Sequence, residues 1–357
     1  MSAPQNPVPA QSWDDFVNHH PNGHLLQLNA WGELKSKFGW KPVRASAPGA
    51  GERPERSELT GAQLLLRRFP PPLGKLAYAP RGPVMDVRDA PAASAITQSA
   101  VTLARKHRAF ALVIEPEMLD TPENAQALRG LGFAPLDWTI QPPRTIWVDL
   151  RGEEDAILAR MKSKTRYNIN LARRKGVQVR VAGADEVTAF YDIMQATSDR
   201  NEFGIHPLAY YTEFLRLFGG RSALLLAEFE GQPLAGLIVA ECAGRATYLY
   251  GASGNAHRDL MPTYLLQWQT MLWARERACH TYDLWGVPDE NEDVLERDFD
   301  KRSDGLWGVY RFKRGFGGQL VRHTGAWVRV LSPIRWMGFK LAKRIRARSA
   351  GSVPGAE

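Results

Sequence analysis

The feature that most constrains this chain is a pattern that runs twice. In the first half a helix-like segment, LLQLNAWGELKSKFGW, leads to the strand-like AQLLLRR and KLAYAPRGPV. A helix with Ile96, Ala100 and Leu103 on one face follows, then the strand FALVIEPE. In the second half a helix with Val187, Phe190, Tyr191 and Met194 on one side leads to SALLLAEF, PLAGLIVAE and ATYLYGASGN. A helix with Leu265, Trp268 and Leu272 aligned follows, then the strand TYDLWGVP. Period-2 alternation marks strands and period-3.6 recurrence marks helices, so the same order appears twice. Each half then reaches a Gly-Phe turn, Gly132-Phe133 and Gly315-Phe316.

An order of helix, antiparallel meander, helix and strand suits an α/β acyltransferase fold of the GNAT type, duplicated, with mixed and largely antiparallel sheets flanked by helices. The length of 357 residues also favours two domains. The break at Gln141-Pro142-Pro143-Arg144 sets the expected division. The first lobe covers 1–146, with 319–357 packing back on it, and the second covers 147–318. Two similar lobes offer a cleft for a large ligand. Ala45–Thr60 (ASAPGAGERPERSELT) reads as an exposed loop from its Gly, Pro and charge content.

A net charge of +8 favours anionic partners: nucleic acid, nucleotide diphosphates or an anionic membrane face. Two segments concentrate it. Ala159–Gly176 has helical apolar spacing and carries Lys164, Arg166, Arg173, Arg174 and Lys175; it reads either as a solvated helix face or as a phosphate-contacting surface. Pro333–Arg348 reads either as a terminal helix docked on the first lobe or as an interfacial helix near anionic lipid. Cys242 and Cys279 read as small buried hydrophobes. The polar, Pro-rich N-terminus has no secretory pattern, and no apolar run is long enough to span a bilayer. The chain is expected to be cytoplasmic, a monomer, and soluble or peripheral at the inner membrane face.

No HExxH, no cysteine pair with zinc spacing and no Walker loop occurs, so neither a metal nor ATP chemistry is expected. Gly251-Ala252-Ser253-Gly254 lacks the spacing of a nucleophile elbow and reads as a turn. Acyl transfer without a protein nucleophile remains open. An activated ester and an amine need only be held in line, with the developing oxyanion stabilised. Candidates for that work are Lys35 in WGELK, Tyr78 and Arg81 in YAPRGPVMD, Thr197 and Arg200 at a helix end, Tyr248 and Tyr250, and Lys313 in YRFKRGFGG. Tyr248 and Tyr250 alternate along a strand and should share a face. The glycines after Lys313 should let a ligand approach the backbone. Each has an ordinary alternative: a surface lysine for Lys35, a self-contained turn for Arg81, core aromatics for the tyrosines, a general basic patch around Lys313.

WGELK with its following GW, YAPRGPVMD, TRYNINLARRKGV, the T-x-x-R before FGIH, YLYGAS, YDLWGVP and GLWGVYRFKRGFGG occur in that order. Together they resemble the FemABX family from about His24 to Trp327. That resemblance implies tandem GNAT-like lobes. It also implies transfer of an amino acid from aminoacyl-tRNA to the side-chain amine at the third position of a peptidoglycan-precursor stem peptide, carried by UDP-MurNAc-pentapeptide or lipid II, with no further cofactor. It casts Lys35 and Arg200 as cations for the acceptor's diphosphate, and Thr197, Tyr248 and Tyr250 as residues of the acceptor cleft. Lys313, beside Phe312, would engage the tRNA acceptor end and steady transition-state charge. Glu115 falls where relatives carry an acid near the cleft. The long coiled-coil insertion of some members has no counterpart here. The competing readings are an acetyl-CoA-dependent GNAT enzyme and a tRNA- or envelope-binding protein without catalysis. Against the former, the Gly-rich Arg311–Gly318 leads into a strand-like segment rather than a helix.

Overall fold

The computed structural model describes residues 10–48, 59–201 and 204–349. In chain order the elements begin with α1 (Ala10–His19), α2 (Asn29–Lys37), β1 (Trp40–Pro48), β2 (Leu59–Phe69), β3 (Gly74–Pro80), α3 (Ala90–Lys106), β4 (Ala109–Glu115), α4 (Pro122–Gly130) and β5 (Ala134–Pro135). Then come β6 (Arg144–Asp149), α5 (Glu154–Arg160), α6 (Ser163–Arg174), β7 (Gln178–Val181), α7 (Val187–Asn201), α8 (Leu208–Phe218), β8 (Ser222–Phe229), β9 (Gln232–Cys242) and β10 (Arg245–Ser253). The chain continues through α9 (Pro262–Glu276), β11 (Thr281–Asp283), α10 (Glu292–Asp298), α11 (Trp307–Lys313), β12 (Gln319–Arg322), β13 (Trp327–Val330) and α12 (Pro333–Ser349).

These elements form two compact units. One runs to Pro143 and resumes at His323; the other spans Arg144–Arg322. The boundaries therefore fall at 143/144 and 322/323, not at 146/147 and 318/319. The reason is pairing: β12 lies antiparallel to β6, Gln319 opposite Trp147 and Arg322 opposite Arg144, so both strands belong whole to the second unit.

The first unit has a sheet in the order β1-β2-β3-β4-β13-β5. β1, β2 and β3 form an antiparallel meander; α3 then crosses over and returns the chain as β4, parallel to β3. Asp89 caps α3 by accepting from Ala92 N at 3.1 Å, and Ile96, Ala100, Val101 and Ala104 face the sheet, all fully buried. β4 is buried along its whole length, as a central strand covered on both faces must be. α1 buries Trp13, Phe16 and Val17, which recur at helical spacing. The segment Ala45–Thr60 is not one loop: Ala45–Pro48 continues β1 in register with Leu59–Ala62 of β2, while 49–58 lies outside the described residues.

The second unit repeats the plan in a sheet of order β12-β6-β11-β10-β9-β8-β7. β8, β9 and β10 form the meander, α9 crosses over, and β11 runs parallel to β10. α9 buries Leu265, Leu266, Trp268, Met271 and Ala274. Cys242 and Cys279 are free thiols, both buried, and burial pushes the Cys279 thiol up to about 12. The architecture is α/β, with two mixed, largely antiparallel sheets flanked by helices, and the same order of meander, helix and strand occurs in each. Among the described residues no helix is long and apolar enough to cross a membrane.

Candidate active site

In the second unit Lys313 ends α11 and is 6 % exposed. Its ammonium donates to Gly286 O at 2.8 Å and to Trp285 O at 3.4 Å, and lies 5.5 Å from the centre of the Tyr248 ring. Burial lowers its pKa from the ordinary 10.5 to about 7, against the nearby Asp283 carboxylate, which raises it. Asp283 itself is held by Thr145 Oγ1, by Trp147 Nε1 at 3.2 Å and by Trp285 N at 2.8 Å. That last bond closes a turn in which Trp285 takes φ 60, a left-handed conformation uncommon for a bulky side chain. The turn presents its two carbonyls to Lys313. Phe312, the residue before, packs edge-on against Tyr264 and Phe316 with ring centres 5.0 and 5.1 Å away. The result is a desolvated cation of adjustable charge, fixed by backbone.

The glycines following Lys313 serve a different purpose from the one their sequence suggests. A Cβ on Gly315 would lie 2.2 Å from Thr165 Oγ1, one on Gly317 2.1 Å from Arg160 O, and one on Gly318 2.5 Å from Ile146 Cγ2. They let the chain pack tightly against α5, α6 and β6, so the space that their missing side chains leave is filled by the protein itself.

Tyr248 and Tyr250 do not share a face. Tyr248 pairs with Val239 and Tyr250 with Ile238, so Leu249 is the extra residue of a β-bulge. Tyr248 turns toward the core beside Lys313. Tyr250 turns to α8, with its ring 6.1 Å from Tyr210, 5.3 Å from Tyr211 and 5.7 Å from Phe214, and its hydroxyl 3.2 Å from that of Tyr210. His206 stacks on Tyr210 at 3.9 Å. The bulge also requires Gly251, where a Cβ would meet the Tyr248 hydroxyl at 1.9 Å.

Thr197 and Arg200 come together on the end of β10. Thr197 Oγ1 donates to Ile193 O at 2.8 Å and accepts from Ser253 N at 3.0 Å. Arg200 donates to Asn255 Oδ1 at 2.5 Å and to Ser253 O at 3.0 Å. Burial and the neighbouring Arg258 both work against its positive charge, a situation that a bound anion relieves.

In the first unit Tyr78, Arg81 and Glu115 form one buried polar cluster. The Tyr78 hydroxyl donates to Glu115 Oε2, and Gln141 Nε2 donates to Tyr78 at 3.2 Å. Glu115 accepts from Ile140 N at 2.5 Å and Gln141 N at 3.0 Å; burial nonetheless raises its pKa. Arg81, 2 % exposed, pairs with Glu117 at 3.4 Å and donates to Pro142 O at 2.8 Å. His323 Nε2 lies 3.1 Å from Glu117 Oε1. The cluster thus grips residues 140–143, the last of this unit before the chain leaves it. Lys35 is half-buried on α2, its ammonium 4.8 Å from the Trp31 ring centre.

On α6, Thr165, Asn168, Ile169 and Ala172 face inward. Lys164, Arg173 and Arg174 are exposed, as is Lys175 at the C-cap, and Tyr167 stands 58 % exposed among them. Arg166 is diverted: its guanidinium donates to Met161 O at the end of α5. Sequence reasoning misses Asp283, Gln141, Glu117, His323 and Arg258. A lone acid in an apolar strand marks Asp283, but nothing local names its partners. Among the described residues no group of three or more His, Cys, Asp or Glu side chains could hold a metal ion.

A model of the FemAB family matches residues 8–232 and 228–344. Lipid II:glycine glycyltransferase of Staphylococcus aureus (strain USA300) is 26 % identical, over 90 % of this chain and 91 % of that protein. The crystal structure of FemX superposes with a TM-score of 0.82 at 23 % identity, covering 93 % of this chain and 98 % of that one. L-PGS from Bacillus licheniformis gives 0.55 at 11 % identity, over 96 % and 99 % of the two chains.

Proposed function

The chain belongs to the FemAB family, and we propose that it moves an amino acid from an aminoacyl-tRNA to the side-chain amine at the third position of a peptidoglycan-precursor stem peptide. It is an aminoacyltransferase of peptidoglycan-bridge synthesis, a class that includes the lipid II:glycine glycyltransferase to which it is similar. The observation that supports the chemistry is the buried Lys313 in its carbonyl cage.

The reaction is direct aminolysis. The neutral acceptor amine attacks the ester carbonyl, a C–N bond forms, the C–O bond to the ribose breaks, and the amine's proton leaves with the ribose oxygen. Lys313 has three N–H donors, two of them aimed at Trp285 O and Gly286 O; in its ammonium form the third is available to an oxyanion. Such a donor in a water-poor site is worth far more than in bulk water. Arg200, beside Arg258, is assigned to the acceptor's diphosphate, since Arg suits bidentate phosphate binding. Thr197, on α7 with Arg200, ties that helix to the end of β10. Tyr248 positions Lys313, and Phe312 walls its site.

The exposed face of α6 is assigned to the tRNA body, with Tyr167 as a stacking surface among the cations. Affinity for tRNA should then fall steeply with salt. Replacing Arg173 and Arg174 by alanine should reduce the slope of log K against log salt by roughly 1.5, since each lost phosphate contact contributes about 0.7–0.9. An unchanged slope in a filter-binding titration would remove α6 from the contact.

A transfer assay with charged tRNA and labelled muropeptide acceptor tests the whole reading. Label should appear on the acceptor only when both substrates are present. Label from acetyl-CoA instead would assign the chain to ordinary acetyl transfer.

A further inference from the structure

α12 has two faces of opposite character. Trp336 is buried and Phe339 packs inward, its ring 5.2 Å from Phe69 and 5.3 Å from Phe110; Lys343 lies over the Trp138 ring. These contacts dock the helix on the first unit. On the other side Ile334, Met337, Leu341 and Ile345 are 80, 60, 60 and 57 % exposed. Their spacing puts them in one stripe along the helix. Scattered exposed apolar residues need no explanation, but a continuous stripe does. The helix contains no acidic residue, and Arg335, Lys340 and Arg344 stand exposed beside the stripe.

We propose that this face of α12 docks on an anionic phospholipid membrane, with the four apolar side chains entering the headgroup–acyl boundary and the flanking cations meeting lipid phosphates. Charge selects this occupant. In a symmetric pairing of two copies the same cations would face one another across the stripe, which is unfavourable; an anionic surface complements them. The helix is too short in apolar content to span, so the contact is peripheral. The inference rests on the proposed reading only for its use, delivery of the enzyme to a lipid-linked acceptor.

The test is co-sedimentation of the full chain with vesicles of phosphatidylcholine alone or mixed with phosphatidylglycerol. Wild type should bind the mixed vesicles at least about tenfold more tightly, and less so at high salt. The variant Ile334→Ser/Met337→Ser/Leu341→Ser should lose at least about tenfold of that affinity, and Lys340→Ser/Arg344→Ser should lose the preference for the anionic lipid. Wild type that ignores anionic vesicles overturns the proposal, as does a triple variant that binds like wild type. Wild type that dimerises through the stripe without binding vesicles overturns it in favour of a second copy. Transfer to a soluble UDP-linked acceptor reads the chemistry separately and should be unchanged in the triple variant.

Discussion

Replacing Lys313 by methionine is expected to slow transfer by about 100- to 1000-fold, the usual loss when one transition-state electrostatic contact is removed, while making the fold more stable. The two effects share one cause. Lys313 is 6 % exposed, and its pKa falls from 10.5 to about 7. That fall corresponds to roughly 4–5 kcal/mol held against the charged form at about 1.36 kcal/mol per pH unit. Gly286 O, at 2.8 Å, loses its donor in the variant at about 1–3 kcal/mol, and Trp285 O, at 3.4 Å, loses a weaker one, so a net gain of about 1 kcal/mol is expected near pH 6.

The sign with pH follows from proton binding. Between about 7 and 10.5 the unfolded chain holds a proton on this lysine that the folded chain has released, so wild-type stability rises with pH across that window. The penalty is fully present below 7 and gone above 10.5, and the stabilisation in Lys313→Met shrinks accordingly. Catalysis has the opposite trend, because oxyanion stabilisation needs the ammonium. The ratio of wild-type to variant rates should be largest below pH 7 and decline above it. Stopped-flow transfer rates from pH 5.5 to 9, beside chemical denaturation at the same pH values, check both. A variant that is slow and also less stable would mean that the lysine is structural, and one with normal turnover would take it out of the mechanism.

How much of this is legible in the sequence depends on the distance over which each feature is decided. The duplicated meander–helix–strand order is written locally, because each strand and helix must bury its own face. β1 is harder: its end, Ala45–Pro48, is made of residues with little strand preference, and only pairing with β2 keeps it extended. The β10 bulge is not written in alternation at all. Period 2 puts Tyr248 and Tyr250 on one face, and the single inserted residue reverses it; Gly251 is the nearest local sign. The Arg81 network joins residues up to 206 positions apart, beyond any local pattern. Conversely, the TxxR of α7 and the lysine of α11 are legible as motifs, although their partners, Ser253, Asn255 and the Trp285–Gly286 carbonyls, are not.

Arg81→Met should be the most destabilising of these substitutions, by about 3–5 kcal/mol for the first unit, because it strands the buried Glu117 carboxylate beside His323. A residue that merely touched substrate would behave differently: its loss would raise KM and leave stability within about 0.5 kcal/mol, as for an exposed site. The geometry favours the first outcome, since Arg81 is 2 % exposed and donates to Pro142 O. Hydrogen exchange can localise it. The amides of Ile140 and Gln141, held by Glu115 next to the cluster, should lose protection along with β3 and β4, while α9 in the second unit keeps its own. Substituting Glu117→Leu alone strands Arg81 in the same way. The double variant Arg81→Met/Glu117→Leu removes both charges, so it should be more stable than either single one, with a coupling of about 1–3 kcal/mol. Simple additivity in that cycle, or a stable Arg81→Met with a raised KM for the acceptor, would instead make Arg81 an acceptor-binding residue.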